Sequence, residues 1–189
     1  AHIVQCEAHE IVTQYHQVDT NETEQVKRNI LGFFDTPEPV SDPISEKLTE
    51  GDLHTASSVT VALEKFVKEK ELDGLAYYYE GAENSDTRLV MSNLIVGNSL
   101  LTSRGFPMCG ESDLKTCIAM LIMERLGIGG SFAEFHPVDF IEDFVLVGHD
   151  GPHNIAIAEG KPVLRSLKKY HGKYGAGASV EFKIKEGPI

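Results

Sequence analysis

The chain has 189 residues and a net charge of −12, with 17 Lys and Arg against 29 Asp and Glu. An apolar fraction of 41% with 24% charged residues is typical of a soluble globular protein. No apolar stretch approaches the roughly 20 residues that a membrane-spanning helix needs. Because phosphate binding needs a basic face, the acidic balance argues against nucleic acid. We therefore expect neither a nucleic-acid nor a membrane partner.

The three cysteines, Cys6, Cys109 and Cys117, are odd in number and form no CxxC pair. This pattern argues against a disulfide framework and favours a reducing compartment, so we predict a cytoplasmic location. The chain begins without Met at the strand-like run His2–Gln5 and ends soon after the alternating segment Val180–Lys185. A strand needs a pairing partner, so we expect an internal piece of a longer protein.

The first half of the chain alternates predicted helices with loops and a strand. Apolar residues recur at helical spacing from Glu22 to Phe34, and the three prolines of Pro37–Pro43 then indicate a surface connection. A long amphipathic helix is predicted from Leu53 to Val67, followed by a short strand at Leu72–Tyr79. A further helix is expected at Arg88–Ser103, although Gly97 weakens it.

A strand–loop–helix unit follows, made of Phe106–Cys109, a loop that carries Glu111, and a buried apolar helix at Leu114–Leu126. Repeated alternation of this kind predicts an α/β domain over residues 1–127, a Rossmann-like parallel sheet with covering helices. In such folds the loops at the carboxyl ends of the strands carry ligands, and Glu111 lies on one of these loops.

Beyond Gly127 the segments become short and are punctuated by Gly, Pro and Asp. Residues 128–189 are therefore predicted to begin a β-rich domain that is incomplete here. Its predicted strands are Phe140–Val147, Asn154–Glu159, Pro162–Leu167 and Val180–Lys185.

Three residues are candidate metal ligands: Glu111, Glu134 and His149. Glu134 is a carboxylate in an apolar segment, and His149 lies in a glycine-bounded turn directly after an apolar strand. Two carboxylates and an imidazole are donors that suit Mn²⁺ or another divalent ion. A structural interpretation stays open, because Ser112 or Asp113 could simply cap the following helix, and isolated acids and histidines are mostly structural.

Five segments of the chain resemble L-arabinose isomerase in their order and approximate spacing, and the resemblance extends over the whole chain. It implies the central domain of that family followed by the start of its carboxyl-terminal domain. The sequence from His149 to His153 departs from the usual one, which leaves open another sugar within the L-fucose and L-arabinose isomerase superfamily. The segments are Gly110–Thr116, Ser131–Glu134, Leu146–His149, Gly160–Leu164 and Phe182–Pro188.

The resemblance implies a metal-dependent aldose–ketose isomerase in which Glu111, Glu134 and His149 bind Mn²⁺ and the two glutamates act as acid and base. The fourth ligand is expected beyond Ile189, with His153 as a nearby substitute. The resemblance also implies a sugar substrate, a homo-oligomer with sites between subunits, and an inactive isolated fragment. A non-catalytic sugar-binding or regulatory module and a metal-dependent hydrolase are the alternatives.

Four further histidines have no recognisable partner spacing and are interpreted as surface or structural residues. Tyr77, Tyr78 and Tyr79 end a predicted strand and could line the same cleft. Because side chains alternate along a strand, Tyr77 and Tyr79 should share one face and Tyr78 the other, so at most two of them can serve a site. The four histidines are His9, His16, His54 and His171.

Overall fold

Helices carry most of the regular structure. The structure is a computed structural model that describes residues 2–38, 47–83, 85–166, 169–170, 173–174 and 177–187. Most of the predicted Pro37–Pro43 connection, and His171, lie outside these residues. The helices are α1 (Ala8–His16), α2 (Thr20–Phe33), α3 (Glu50–Glu69), α4 (Asp86–Ser92), α5 (Leu94–Thr102) and α6 (Leu114–Arg125).

Side-chain caps set the beginnings of the helices that the sequence predicts best. Thr49 caps α3: its hydroxyl accepts a hydrogen bond from the Asp52 amide, and the Asp52 carboxylate accepts one from the Thr49 amide. Asp19 and Glu22 form the same reciprocal capping box at the start of α2. Such a box satisfies amides that have no partner inside the helix. The predicted helices at α2, α3 and α6 are thereby confirmed.

The predicted helix Arg88–Ser103 is divided into α4 and α5, and the break falls at Asn93 rather than at Gly97. The Asn93 side-chain Nδ2 donates to the Leu89 carbonyl at 2.9 Å, within the last turn of α4. Gly97 lies inside α5, where an added Cβ would come within 2.9 Å of Leu63 Cδ2 in α3. The glycine therefore permits close packing of two helices rather than weakening one of them.

The strands pair into small two-stranded sheets. β1 and β2 are parallel, and the other pairs are antiparallel: β3 with β4, β5 with β8, and β6 with β7. The predicted strand Leu72–Tyr79 is shorter than expected, since β1 has only two residues. The described residues thus form a mixed helix-and-strand fold in which β1–β2 is the parallel strand pair, with a further isolated parallel bridge between Asp35 and Val163. The strands are β1 (Leu75–Ala76), β2 (Met108–Cys109), β3 (Glu134–Asp139), β4 (Phe144–Gly148), β5 (Val163–Ser166), β6 (Lys169–Tyr170), β7 (Lys173–Tyr174) and β8 (Ala178–Glu181).

Three predicted strands are corrected. Residues His2–Gln5 have no regular secondary structure, and Phe140–Val147 is the turn and second strand of the β3–β4 hairpin. The segment Asn154–Glu159 instead contains a 3-10 turn at Ile155–Ile157, which Asn154 caps by accepting from the Ala156 amide at 3.0 Å. Apolar alternation in short segments does not distinguish strands from such turns.

The core has two main parts, and α3 contributes to both. In the second part, Ile30 of α2 and Ile95 of α5 pack with Leu164 of β5 and Val180 of β8, so segments before and after residue 128 share a core. The predicted boundary near residue 128 stays a prediction. No helix among the described residues is long and apolar enough to cross a membrane.

Helix α6, predicted to be buried, is covered on one side only. Cys117 and Met120 are buried, whereas Ile122 is 55% exposed. The apolar residues of α6 are distributed around the helix rather than along one stripe, and a single neighbouring layer, which includes β1 and β2, covers one face. The prediction for Cys117 is confirmed, and the prediction of a buried helix is wrong.

Candidate functional site

Glu111 lies on a tight turn directly after β2. Glu111 and Ser112 both adopt left-handed backbone conformations, with φ of 59° and 56°. Non-glycine residues rarely adopt this conformation, and strained pairs of this kind concentrate at functional sites. The turn is held to the end of β1, since the Ser112 amide donates to the Tyr77 carbonyl at 2.9 Å. The Glu111 side chain is exposed at the carboxyl edge of the parallel pair.

The helix cap that was the structural alternative for this segment is present, and Asp113 caps α6. Its carboxylate accepts from the Thr116 amide at 2.9 Å and from the Thr116 hydroxyl at 2.7 Å. These hydrogen bonds hold the pKa of Asp113 below its ordinary value. Because Asp113 caps α6, Glu111 has no role in starting the helix.

The three tyrosines after β1 do not follow the predicted alternation, because the Tyr78 and Tyr79 rings lie 5.1 Å apart between centroids. Tyr77 is buried and its hydroxyl accepts from Asn98 Nδ2 at 3.1 Å, while Tyr78 is 48% exposed. Burial raises the pKa of the Tyr77 phenol. Tyr79 is half-buried and packs against the same part of the core as Tyr77. Tyr77 therefore packs, and Tyr79 is the tyrosine that can face a ligand.

Glu134 and His149 lie together at the open end of the β3–β4 hairpin. Glu134 is the first residue of β3 and pairs with Gly148, the last residue of β4, so His149 follows directly. Glu134 is exposed, whereas His149 is half-buried with its ring edge-on to Phe132 at 4.7 Å between centroids. The expectation that His149 follows an apolar strand is confirmed, and Glu134 lies in a strand rather than in a loop.

Hydrogen bonds assign the tautomers of His149 and His153. His149 Nδ1 lies 3.0 Å from the Pro152 carbonyl, which can only accept, so the proton of the neutral ring is on Nδ1 and the Nε2 lone pair remains for a ligand. His153 Nε2 donates to the His149 carbonyl at 3.1 Å, and its Nδ1 lies 3.3 Å from Ser131 Oγ. Both nitrogens of His153 are engaged, so it holds the turn in place rather than substituting as a ligand.

The turn that carries His149 is anchored on helix α5 and on the segment before β3. The His153 amide donates to Ser99 Oγ at 3.1 Å, and Ser99 in turn donates to the Ile95 carbonyl at 2.8 Å. The Asn154 amide donates to Ser131 Oγ at 3.1 Å. Ser131 belongs to a motif that the sequence indicated, but Ser99 carries no recognisable signal because its contact is nonlocal.

Tyr79 connects the two predicted carboxylates. Its pKa is raised first by partial burial and then by the negative charges of nearby carboxylates, among them Glu111 and Glu134. These glutamates lie on separate elements, one after β2 and the other at the start of β3. The structure therefore brings both within electrostatic range of one phenol, which stays protonated at neutral pH.

The candidate ligands do not form a metal-binding cluster in the described part of the chain. No three His, Cys, Asp or Glu side chains among the described residues are close enough together to hold an ion. The donor types nevertheless suit a divalent ion, and a histidine whose Nδ1–H is bonded to a carbonyl is the usual arrangement of a metal-binding imidazole. Glu111, Glu134 and His149 thus match in chemistry without forming a closed site.

Two buried cysteines lie beneath the Glu111 turn. Cys109 ends β2, and its thiol donates to Met120 Sδ at 3.4 Å, while the Cys117 thiol lies 3.7 Å from the Pro107 carbonyl. The two thiols are neighbours, and their interaction raises the pKa of Cys109 and lowers that of Cys117. All three cysteines are free, and this pair forms part of the apolar support of the turn.

No protein-family model matches this chain, and none of the curated proteins compared with it is significantly similar. The resemblance to the L-arabinose isomerases therefore stays a prediction that rests on the quoted motifs.

Proposed function

We propose that this chain forms part of the catalytic centre of a metal-dependent aldose–ketose isomerase of the L-arabinose and L-fucose isomerase kind. The observation that carries the proposal is the position of Glu111 on the turn after β2, at the carboxyl end of the parallel pair, together with Glu134 and His149 side by side at the open end of the β3–β4 hairpin. The order of the motifs around these residues gives it further support. Two carboxylates are groups that can carry out proton transfer between neighbouring carbons.

The proposal includes a Rossmann-like parallel sheet with covering helices. Its support is the parallel β1–β2 pair, whose connection contains α4 and α5 and which α6 follows directly. A strand, a helical crossover and a parallel strand form the repeating unit of such sheets. Tyr79 and Glu111 follow the carboxyl ends of these two strands, which is where ligands bind in folds of this type.

The side chains have distinct proposed roles. In aldose-to-ketose conversion a proton leaves C2 and a proton is delivered to C1, while the proton on O2 moves to O1. Glu111 and Glu134 would serve as the base and the acid for these transfers. Tyr79, with its raised pKa, keeps its proton and can donate a hydrogen bond to a sugar oxygen.

We propose that Glu111, Glu134 and the Nε2 atom of His149 would contribute to binding a divalent cation, Mn²⁺, although the described residues bring no three such donors close enough together to hold it. Such an ion supplies Lewis-acid stabilisation of negative charge on the two sugar oxygens when it is bound. A further ligand would come from outside this set, in keeping with the proposed homo-oligomer whose sites lie between subunits. We also propose a cytoplasmic location, since the three cysteines are free thiols.

Binding of Mn²⁺ to the chain tests the proposed ligands. Electron paramagnetic resonance of free Mn²⁺ should show uptake by the wild type and a loss of affinity of about tenfold or more for Glu111→Gln or Glu134→Gln. Glu142→Gln is the matched control, because Glu142 is an exposed carboxylate at the far end of the same hairpin. Equal affinities for all four proteins would contradict the ligand assignment.

The reaction itself is tested with the intact protein by incubating aldoses with Mn²⁺ and measuring ketose. Formation of ketose without loss of carbon supports the isomerase, and Glu111→Gln should abolish it. A sugar that binds without any ketose being formed would instead support a sugar-binding module. Cleavage of the substrate by water would support a metal-dependent hydrolase, and either result would overturn the isomerase.

A further inference from the structure

Two of the three cysteines lie side by side beneath the Glu111 turn, in a cluster that the proposed isomerase chemistry does not use. Cys109 ends β2, and Cys117 lies in the first half of α6. With Met120 and Phe132 they form a small group of buried residues that is separate from the two main parts of the core. Burial of a single thiol needs no further explanation, whereas two neighbouring thiols are a reactive pair.

Both thiols point into the gap between β2 and α6. The Cys109 thiol lies 3.4 Å from Met120 Sδ, and Met120 is about one helical turn beyond Cys117 on the same face of α6. The Cys117 thiol lies 3.7 Å from the carbonyl of Pro107, which closely precedes Cys109 in the chain. Gly74 leaves room for this thiol, since an added Cβ there would come within 3.3 Å of Cys117 Sγ. Strand and helix therefore direct their sulfur atoms toward each other.

A bond between the two sulfur atoms would close a short loop around the Glu111 turn. The cysteines flank residues 110–116. Inside this loop lie the left-handed residues Glu111 and Ser112, and also the cap that Asp113 forms with Thr116. A covalent link at the two ends of the loop would therefore hold the turn against the first turn of α6.

The pair lies under a thin cover. Cys109 is fully buried and Cys117 is 5% exposed. Helix α6 packs on β1 and β2 on one side, while its other side, which includes Ile122, is open to solvent. A helix that rests on one thin layer opens locally at a lower free energy than the main core does. A small neutral oxidant such as hydrogen peroxide therefore reaches these thiols without global unfolding.

We propose that Cys109 and Cys117 are a reversible redox pair, which hydrogen peroxide oxidises to a disulfide that restrains the Glu111 turn. The Cys117 sulfur attacks one peroxide oxygen, the O–O bond breaks, and the products are a sulfenic acid on Cys117 and water. The Cys109 sulfur then attacks the Cys117 sulfur. The S–S bond forms, the S–O bond breaks, and the hydroxyl group leaves with the Cys109 proton as a second water. The two thiols lose two electrons and two protons in total, and the peroxide is reduced to two waters.

The environment of the pair favours this sequence of steps. Interaction with Cys109 lowers the pKa of the Cys117 thiol, and the thiolate is the form that attacks peroxide. A disulfide is uncharged, so it suits the apolar cluster around it. The third cysteine, Cys6, packs against a different part of the core. Thiols that oxidise transiently are also the kind of disulfide that occurs in a reducing compartment.

Peptide mass mapping of the wild-type chain tests the disulfide. Trypsin cleaves after Lys115, so Cys109 and Cys117 fall in different peptides. After brief exposure of the folded chain to hydrogen peroxide and alkylation of the remaining thiols, these two peptides should be recovered as one linked species that dithiothreitol separates. The intact chain should keep the mass of one copy less two hydrogen atoms. Unlinked peptides, links to Cys6, or thiols oxidised directly to sulfinic acid would overturn the proposal.

Serine variants supply the matched controls, with circular dichroism before oxidation as the check on folding. Cys6→Ser should leave the linked species intact, whereas Cys117→Ser should abolish it. In Cys109→Ser the sulfenic acid on Cys117 has no second thiol to react with, so dimedone should trap it. Loss of the linked species in Cys6→Ser, or the absence of a dimedone adduct in folded Cys109→Ser, would contradict the proposed steps.

Amide hydrogen exchange tests the restraint on the turn. In the oxidised chain the amides of residues 110–116 should exchange several-fold more slowly than in the reduced chain, because the link opposes local opening of α6. The amides of α2, which packs on α3, are the internal reference and should exchange equally in both states. Equal exchange of residues 110–116 in the two states would overturn the restraint. None of these measurements depends on metal binding or on turnover of a sugar.

Discussion

Gly177 lies directly against the buried side-chain amide of Asn93, so that a Cβ on the glycine would come within 1.4 Å of Asn93 Oδ1. Asn93 stands at the break between α4 and α5 and is fully buried. Its Oδ1 atom has no hydrogen-bond partner among the described residues. The contact joins the chain just before β8 to the helical body, which makes the glycine essential to the packing of the last sheet.

The first prediction is that Gly177→Ala destabilises the protein by about 2–4 kcal/mol, because a methyl group would overlap Asn93 and the residue has a φ of +98°. Gly160→Ala is the matched control, because its φ is +78° but nothing lies within 4 Å of an added Cβ. The backbone strain of alanine at this φ should therefore lower the free energy of unfolding by only about 1–2 kcal/mol. Urea unfolding of both variants measures the difference. Equal losses of stability in the two variants would show that the structure relaxes to remove the overlap with Asn93.

The second prediction concerns Gly97 in the middle of α5. Gly97→Ala should destabilise by about 1–2 kcal/mol, because overlap with Leu63 and Thr60 of α3 outweighs the gain of about 1 kcal/mol in helix propensity. Gly32→Ala in α2, where nothing lies within 4 Å, should instead stabilise by about 0.5 kcal/mol. Thermal unfolding should thus shift in opposite directions, and a stabilised Gly97→Ala variant would refute the close packing of α3 and α5.

The third prediction concerns strain in the turn that carries Glu111. Ser112→Gly should stabilise the protein by about 0.5–1 kcal/mol, because glycine adopts the φ of 56° without the penalty that serine has there. Ser179→Gly in β8 is the control, since a strand residue without positive φ should lose about 0.5–1 kcal/mol on the same change. Denaturant midpoints measure both, and a destabilised Ser112→Gly variant would show that the turn is unstrained.

The fourth prediction is a pH dependence carried by Glu10. The pKa of this carboxyl is lowered by the hydrogen bond from Lys70 and by the capping bond to the Glu7 amide. A folded-state pKa below the ordinary value of 4.5 means that the unfolded chain binds the proton more readily, so the stabilisation is present above that pH and is lost as the pH falls through the folded pKa.

Unfolding measured from neutral pH to below pH 4 should therefore show a weaker acid dependence for Glu10→Gln than for the wild type. Glu186→Gln provides the comparison, because this side chain is 92% exposed and should leave the dependence unchanged. If the wild type and Glu10→Gln lose stability in parallel on acidification, the contact between Glu10 of α1 and Lys70 after α3 is not the source of the acid dependence.

Local signals in the sequence predicted α2, α3 and α6, because helical spacing and capping residues act within a few positions along the chain. The same signals failed at Arg88–Ser103. Gly97 was the expected weak point by propensity, yet the break occurs at Asn93, where contacts from distant parts of the chain determine the conformation. Strands were predicted less well, since the 3-10 turn at Ile155–Ile157 and the turn of the β3–β4 hairpin share the short apolar pattern of the strands.

The sequence by itself determined the mixed helix-and-strand character, the beginnings of the main helices and the candidate set Glu111, Glu134 and His149. Only the tertiary structure decided that Glu134 and His149 lie together at one end of a hairpin, that His149 keeps its Nε2 atom for a ligand, and that Gly177 packs against Asn93. The physical reason is that helix periodicity and caps are local interactions. The convergence of side chains and the packing of Gly177 against Asn93 depend on partners that lie far away in the sequence, and the tautomer of His149 depends on the conformation of the turn that brings the Pro152 carbonyl to its ring.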